Sequence, residues 1–487
     1  MGTTLRACTS GRFAWDHRLK GHPGEVALVV SRRRKPTYSA REPAGTLSPP
    51  PLIERVLAPF QRFAQTESAS GIVLLACTAI ALMWANSPWA ESYTDLWEMP
   101  LSVELGRLAA RTTLHHLIND GLMAVFFFLV GLEIKREMLA GELASLRKAA
   151  LPIAGAAGGM LVPAVLYASL NAGRAGEAGW GVPMATDIAF ALGVLALLGD
   201  RIPGGVRVFV AALAIVDDIG AVLVIAAFYS GGVAWGTLAI AAALVALAVG
   251  ANIAGVRRPW AFGAIGLALW LAVLASGIHP TIAGVLLAMT IPARTRIDEA
   301  RFLGRAREML AQFEVTHDPG ATALRDPEHQ AAVQELEKLA EEIQPPLLRL
   351  ERALHGMVAF GIMPLFALAN AGVPLTLANL DPAEGSRVAL GVALGLLVGK
   401  SVGVTLFAWV AVRAGVASLP HGVTWRSMVG AALLGGIGFT MALFIAGLAF
   451  SKQPSLLVAA KLGILGASLI AGLGGWLVLR GVSSRQV

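Results

Sequence analysis

Two adjacent aspartates, Asp217 and Asp218, lie inside the apolar run 211–225. An aspartate at the centre of a membrane helix costs about 2.5–3.5 kcal/mol to insert, whereas each Leu, Ile or Val contributes only about 0.3–0.6 kcal/mol in favour. Such a cost usually persists where the charge has a function. A structural ion pair or a polar packing contact is the alternative interpretation.

The aspartate pair suits a small, hard cation, because such ions prefer carboxylate oxygen ligands. Neighbouring helix residues point about 100° apart, so both side chains reach one ion only if the site lies between helices. One then binds the ion while the other pairs with a base. Burial and a nearby like charge favour the protonated form of a carboxyl group. Protons would therefore compete with the cation, and this competition is itself an exchange mechanism.

Three further polar residues in apolar segments support the same chemistry. Asp187 follows Thr186 in a short segment that is preceded by Gly181 and Pro183. Lys400 lies deep in another apolar run and is a plausible counter-ion for a buried aspartate. The alternative for Lys400 is that its side chain extends to the membrane interface.

Other ionisable residues stand near predicted helix ends. His279 opens a short apolar segment, where the simplest interpretation is a helix-end residue bonded to water or backbone. A response to pH is the functional alternative, because histidine titrates near neutrality. Glu133, Arg136 and Glu137 end a predicted helix, where charged side chains are ordinary.

The composition indicates which kind of protein holds these residues. Of 487 residues, 56% are hydrophobic and 15% are charged, whereas about 25% are charged in a typical soluble domain. The mean hydropathy is +0.66. These values exclude a disordered chain and disfavour a soluble enzyme, and the low total charge disfavours nucleic-acid binding despite a net charge of +7. Cys8 and Cys77 allow no disulfide framework or thiolate metal site, and no cofactor is predicted.

Apolar segments recur along the chain and predict an all-α polytopic membrane protein with about 12 transmembrane helices. The segments are 70–88, 117–137, 149–171, 183–199, 205–229, 234–254, 259–277, 279–292, 354–375, 388–414, 427–450 and 456–480. Some are short or rich in Gly and Pro, which is typical of discontinuous helices in transporters. Residues 149–229 and 388–480 are then interpreted as inverted-topology repeats, each with a discontinuous middle helix, and the two middle helices cross.

The basic residues predict the orientation, because cytoplasmic loops carry an excess of Lys and Arg. An inside N-terminus places most of them in inner loops and places acids such as Glu91 and Asp95 outside. Both termini are then cytoplasmic. The inner-loop residues are Arg136, Arg147, Lys148, Arg201, Arg207, Arg257, Arg258, Arg413, Arg426, Arg480 and Arg485.

Two cytoplasmic blocks lie outside the membrane domain, which is predicted to comprise residues 53–292 (helices 1–8) and 351–487 (helices 9–12). Residues 1–52 are predicted to be a disordered extension, the alternative being a mis-assigned start codon. Residues 293–350 form a charged loop in which Asp326 and Pro327 resemble a helix start. An amphipathic surface helix on the membrane domain is the simpler interpretation, and a regulatory or partner-binding helix is the alternative.

A series of motifs, in order from about residue 65 to 480, resembles the NhaA-type sodium/proton antiporters of bacterial inner membranes. The motifs are INDGLMAVFFFLVGLEIKRE (118–137), ATDIAFALGVLALLG (185–199), ALAIVDD (212–218), SGIH (276–279), PLFALANAGV (364–373), VGK (398–400) and GGIGFTM (435–441). This resemblance implies twelve transmembrane helices, two of them crossed and broken. It also implies electrogenic, pH-regulated exchange of Na⁺ or Li⁺ for protons.

The resemblance also assigns roles by motif. It makes Asp218 the principal cation ligand and Asp217 its partner at the Na⁺ site. Lys400 corresponds to the partner of Asp217 that is released when the site changes state. Thr186 and Asp187 match the broken-helix positions, where Thr186 helps to hold the ion.

The resemblance also implies a set of pH-sensing residues. Glu133, Arg136 and Glu137 match a cytoplasmic pH-sensing cluster, and Glu351 matches an acidic member of the same funnel. His279 matches a histidine linked to the pH response. Asp120 matches a carboxylate near the outer side. The resemblance further implies a homodimer formed through an extracellular hairpin, here near 91–103. Two features depart from the shorter members: the loop before Arg349 is longer, and Ser401 stands where some members have Pro.

Two other function classes fit parts of this pattern. Intramembrane aspartyl proteases use two membrane aspartates, but on separate helices, whereas Asp217 and Asp218 are adjacent. A sodium-coupled organic-anion transporter of the same fold would use a basic residue such as Lys400. The adjacent aspartates favour a cation/proton antiporter, not an enzyme, with Na⁺, Li⁺, H⁺, the lipid bilayer and a second copy of the chain as its partners.

Overall fold

Helices dominate the part of the chain that the computed structural model describes, which is residues 69–105, 108–295, 297–315, 327–375 and 383–482. Nine described helices are long and apolar enough to cross a membrane, or up to eleven spans if each of two bent helix pairs counts as one. The prediction of a helical, polytopic membrane protein is confirmed. The count of twelve, the inverted repeats and the crossing of helices stay predictions. The expected N-terminal extension, 1–52, lies outside the described residues.

A helix lies in each of the predicted apolar segments. In chain order the elements are α1 (Ala69–Ala85), α2 (Ala90–Glu98), β1 (Pro100–Leu105), β2 (Leu108–Thr113), α3 (Leu114–Ala140), α4 (Leu146–Asn171), α5 (Glu177–Leu198), α6 (Gly204–Phe228), α7 (Trp235–Ile253), α8 (Pro259–Ser276), α9 (Thr281–Thr290), α10 (Glu299–Val315), α11 (Pro327–Ile343), α12 (Pro346–Asn370), α13 (Glu384–Arg413), α14 (Trp425–Gly435), α15 (Phe439–Ala449) and α16 (Pro454–Arg480).

The helices bury charged groups and expose apolar ones, which is the reverse of a soluble protein. Asp187, Asp217, Asp218 and Lys400 are at most 2% exposed. By contrast, only 11% of the apolar window of α7 and 22% of that of α8 is buried. Because such large apolar surfaces are unfavourable in water, these outer faces fit the hydrocarbon core of a bilayer.

Helix α5 is interrupted in its middle. Its first part, Glu177–Met184, is a 3₁₀ helix, residues 185–187 leave the helix, and Ile188–Leu198 is α-helical. Asp187 caps the second part, because its Oδ1 accepts a hydrogen bond of 3.0 Å from Phe190 N. An Asp side chain at this position satisfies an N–H group that has no partner within the helix.

A second interruption separates α14 from α15, whose axes differ by 43°. Glycine is required here by close packing. A Cβ atom on Gly436 would lie 2.5 Å from Leu396 O of α13, and one on Gly438 would lie 2.8 Å from Leu396 Cδ2. Larger residues would therefore push α13 away from the break.

Helices α4 and α13 approach each other through glycines. A Cβ atom on Gly158 would lie 2.2 Å from Gly403 O, and one on Gly159 would lie 3.4 Å from Lys400 Cε. Small residues allow membrane helices to approach this closely. The packing of α4 thus fixes the position of the helix that carries Lys400.

An antiparallel hairpin, β1–β2, separates α2 from α3 and is the one sheet among the described residues. It begins at Pro100, later than the hairpin expected near 91–103. The reason is that Tyr93 and Trp97, one helical turn apart, are both buried. This spacing gives α2 an apolar face and makes a helix of Ala90–Glu98.

The charged loop contains two helices, α10 and α11. Helix α11 begins at Pro327, and Asp326, its expected cap, lies outside the described residues. Leu339 is 3% exposed and forms the buried face of α11. Glu341 Oε1 accepts a hydrogen bond of 2.8 Å from Arg349 Nη2, which joins α11 to the first turn of α12.

Candidate cation and proton site

A buried ion pair between Asp217 and Lys400 lies at the centre of the site. Lys400 Nζ is 2.6 Å from Asp217 Oδ2, and both side chains are 0% exposed. Lys400 Nζ also donates a hydrogen bond to the carbonyl of Met184, the last residue of the 3₁₀ part of α5. The lysine side chain therefore stays inside the bundle and does not extend to an interface.

Thr186 links Asp217 to the two chain interruptions. Its Oγ1 lies 2.7 Å from Asp217 Oδ2 and 2.8 Å from the carbonyl oxygen of Gly435, the last residue of α14. A hydroxyl group has one proton to donate, so Thr186 donates to one of these acceptors at a time. A change of charge on Asp217 would therefore shift this hydrogen bond.

Asp187 binds the N-terminal ends of two half-helices. Besides accepting from Phe190 N, it accepts at Oδ2 from Thr440 N at 3.1 Å and from the Thr440 hydroxyl group. Its own N–H donates to Ile437 O at 2.7 Å. These bonds join the interruption of α5 to the one between α14 and α15.

The charges at the interruptions match the helix dipoles. The N-terminal end of a helix carries partial positive charge, and the C-terminal end carries partial negative charge. Asp187 lies at two N-terminal ends, while Lys400 binds the carbonyl end at Met184. Each of the two side chains therefore lies at helix ends whose partial charge is opposite to its own.

Asp218 is buried beside Asp217 but has fewer partners. Its Oδ1, like Oδ1 of Asp217, is buried and has no hydrogen-bond partner among the described residues. A buried oxygen without a partner is costly unless a proton, a water or a cation satisfies it. Within the same residues, no three His, Cys, Asp or Glu side chains are grouped as metal ligands. A cation bound here would therefore draw further ligands from neutral oxygens or water.

A second charged group, called here the Arg136 group, consists of Glu133, Arg136, Glu137 and Glu351. Arg136 Nη2 lies 3.2 Å from Glu137 Oε1, and its Nε lies 3.3 Å from Glu351 Oε1. Glu133 lies on α3 within about one helical turn of Arg136 and Glu137, and it interacts electrostatically with both Glu351 and Asp218. Glu133 is therefore the member of the group that is coupled to the aspartate pair.

His279 is paired with Asp120 rather than with the Arg136 group. Its Nε2 lies 3.5 Å from Asp120 Oδ1, and its Nδ1 lies 2.8 Å from Thr281 Oγ1. Trp270 Nε1 donates to the backbone carbonyl of Asp120 at 3.0 Å. The structure thus joins two residues that the sequence assigned to separate roles.

Three residues that sequence reasoning did not select hold the elements of the site in place. Thr440 binds Asp187, and Ser468 Oγ accepts from Phe439 N at 3.2 Å. Lys135 Nζ donates to two backbone carbonyls at the end of α9, at 2.7 and 2.5 Å. Thr440 and Lys135 lie in the motifs that carry the family resemblance, whereas Ser468 is a serine in an apolar helix and gives no signal in the sequence.

A family model described as Na⁺/H⁺ antiporter 1 matches residues 61–479. The chain belongs to this antiporter family. The match includes every residue of the site, the Arg136 group and the His279–Asp120 pair, and it confirms the resemblance given by the motifs.

Individual members of the antiporter family match over nearly their full length. The Na⁺/H⁺ antiporter NhaA of Oleidesulfovibrio alaskensis is 52% identical over 433 residues, which cover 88% of this chain and 95% of that protein. The protein of the same name from Koribacter versatilis is 51% identical, covering 88% of this chain and 92% of its own. Na⁺/H⁺ antiporter NhaA 1 of Saccharophagus degradans is 47% identical, covering 87% and 92%.

Proposed function

We propose that this chain is a secondary transporter, not an enzyme, that exchanges cytoplasmic Na⁺, or Li⁺, for external protons at Asp217 and Asp218. The observation that carries the proposal is a fully buried carboxylate pair in which one oxygen of each residue has no partner among the described residues. The names of the relatives support the same exchange.

The two carboxylates act as alternative sites for protons and for one cation. A cation that binds between Asp217 and Asp218 replaces the positive charge of Lys400 on Asp217, so Lys400 is released. Protonation of both aspartates removes the negative charge that holds the cation and expels it. Because two acids can take up protons for each Na⁺ released, the exchange moves net charge and is electrogenic.

Alternating access follows from the two interruptions. Asp187 N–H donates to Ile437 O at 2.7 Å, and Thr186 Oγ1 lies 2.8 Å from Gly435 O. These bonds support a crossing of two discontinuous helices that belong to inverted repeats. In this mechanism the helix bundles rock around the crossing and expose the aspartates to one side of the membrane at a time.

The Arg136 group is the proposed pH sensor. In this proposal the protein lies in the bacterial inner membrane. The excess of Lys and Arg in alternate loops supports an orientation with both termini and this group on the cytoplasmic side. Glu133 links the group to Asp218 by electrostatic interaction. The His279–Asp120 pair then lies at the outer end, and the β1–β2 hairpin is the proposed dimer contact.

The test is Na⁺-induced collapse of a proton gradient in inside-out membrane vesicles, with Na⁺, Li⁺ and K⁺ across a range of pH. We expect Na⁺ and Li⁺ to collapse the gradient and Asp218→Asn to abolish the response. Asp95→Asn serves as the control, because Asp95 is exposed and lies in α2. Exchange that persists in Asp218→Asn at wild-type rate would exclude the proposed site.

A further inference from the structure

Phe444 lies at the centre of a buried aromatic cluster. Its ring centroid is 5.7 Å from that of Phe127, 6.2 Å from that of Phe366 and 5.3 Å from that of His279. Phe127 and Phe366 are 0% exposed, and Phe444 is 3% exposed. These rings come from α15, α3, α12 and the turn before α9, so four elements meet at this layer.

The aromatic layer lies next to the aspartate site. Phe444 follows Thr440 by one helical turn of α15, so both side chains lie on one face, about 6 Å apart along the axis. Thr440 binds Asp187 through its N–H and its hydroxyl group. The space one turn beyond Asp187 is therefore filled by the ring of Phe444.

Polar side chains lie on the side of the aromatic layer that faces away from the aspartates. Asn370 follows Phe366 by one turn of α12, and its Nδ2 donates to Asn119 Oδ1 at 2.9 Å. Asn370 Oδ1 lies 3.2 Å from His115 Nε2. Within the cluster, the rings of Phe127, Phe366 and Phe444 are apolar and His279 is polar. The three phenylalanine rings oppose the passage of ions, because an ion that meets them loses its hydration without gaining ligands. The distribution of basic residues places this end of the bundle outside.

We propose that Phe444 is the outer gate of the exchange cycle. In this structure its ring packs against Phe127 and Phe366, between the aspartates and the polar side chains of Asn370 and Asn119. Helix α15 carries both Thr440 and Phe444, so a displacement that changes the partners of Asp187 also withdraws the ring. The proposal rests on the proposed exchange function and assigns to this residue the separation of the site from the outside.

The test compares wild type, Phe444→Ala, Phe444→Leu and Phe262→Ala in proteoliposomes. Phe262 is a matched control, because it is also 3% exposed but lies in the peripheral helix α8. Radioactive Na⁺ efflux and proton uptake are measured together, with the membrane voltage clamped and the pH equal on both sides. The readout is the Na⁺ flux that is not accompanied by protons.

We expect Phe444→Ala to raise the uncoupled Na⁺ flux severalfold, with a smaller rise for Phe444→Leu and none for Phe262→Ala. A structural role alone would lower both fluxes and leave their ratio unchanged. If wild type exchanges the ions and neither Phe444 variant raises the uncoupled flux above that of Phe262→Ala, the gate is excluded. If wild type itself shows no exchange, the proposed function is wrong, and the proposal of a gate is excluded for that reason.

Discussion

Lys400 Nζ and Asp217 Oδ2 lie 2.6 Å apart in a region where neither side chain is exposed. Removal of one member of such a pair leaves an uncompensated charge and typically costs about 3–5 kcal/mol. We expect Lys400→Met to lower the free energy of unfolding by this amount. Adding Asp217→Asn should recover part of the loss, because the buried charge is then gone. Chemical unfolding in detergent, followed by tryptophan fluorescence, measures both effects.

Lys452→Met is the control for this pair, because Lys452 is exposed in the turn before α16. Its stability should equal that of wild type. A double variant that is as unstable as Lys400→Met alone would show that Lys400 stabilises the fold chiefly through Met184 O rather than through Asp217.

The contact between α4 and α13 predicts that Gly158→Ala is strongly destabilising. The new Cβ atom would lie 2.2 Å from Gly403 O and 2.6 Å from Phe407 Cγ, so the two helices must separate. Separation moves Lys400 away from Asp217, and exchange should fall together with the thermal midpoint. Gly474→Ala in α16 is the control, because no atom outside the local backbone of its own helix lies within 4 Å of its added Cβ. Equal midpoints for the two variants would contradict the packing argument.

The contacts of the Arg136 group predict that replacing Arg136 changes the pH dependence of exchange without a large loss of stability. Arg136 is 42% exposed, so its ion pairs are worth less than about 1 kcal/mol. Without this positive charge, the neighbouring carboxylates lose an interaction that favours their ionised form. We therefore expect Arg136→Gln to move the rise of exchange activity to higher pH at nearly unchanged maximal rate.

The vesicle assay measures this shift across pH for Arg136→Gln, and Arg147→Gln supplies the comparison for a nearby exposed arginine. Arg136 is not part of the pH sensor if the pH profile of Arg136→Gln coincides with that of wild type, or if the profiles of both variants shift equally.

The structure of the charged loop predicts that α10 and α11 influence the pH dependence of exchange but are not needed for exchange itself. Deleting residues 300–340 removes most of both helices and the support for Glu341, which binds Arg349 two residues before Glu351. We expect exchange to continue with a displaced pH profile, and Glu341→Gln to produce a smaller displacement in the same direction. Membrane insertion and rate are measured on the same preparations. Loss of all inserted, folded protein would make the loop a structural element instead.

The sequence reveals the charged centre of the site because charges are rare in apolar runs. Asp187, Asp217, Asp218 and Lys400 were all selected for this reason, and all four are buried. The hydrogen-bond partners of these four residues were harder to predict from the sequence. Thr440 lies 253 residues from Asp187, and threonine is ordinary in a membrane helix, so its role appears only when two interrupted helices meet.

Helix positions were predictable from hydropathy, whereas their interactions were not. The segment near Glu91 was expected to belong to a hairpin, but the spacing of Tyr93 and Trp97 gives a helix there. His279 was grouped with Glu351 by resemblance, yet its ring lies against Asp120 and Phe444. A periodic pattern shows which face of a helix is apolar, but not which neighbouring helix covers it.

The bonds between Asp187 and Thr440 have a consequence for synthesis of the chain. Ribosomes add about 5–20 residues per second, so a separation of 253 residues corresponds to a delay on the order of tens of seconds. During this delay the nascent chain has Asp187 in place without one of its two half-helices, and Asp217 without Lys400. Until these contacts form, the aspartates must be protonated or hydrated. The transport site is completed only when the last quarter of the protein enters the membrane.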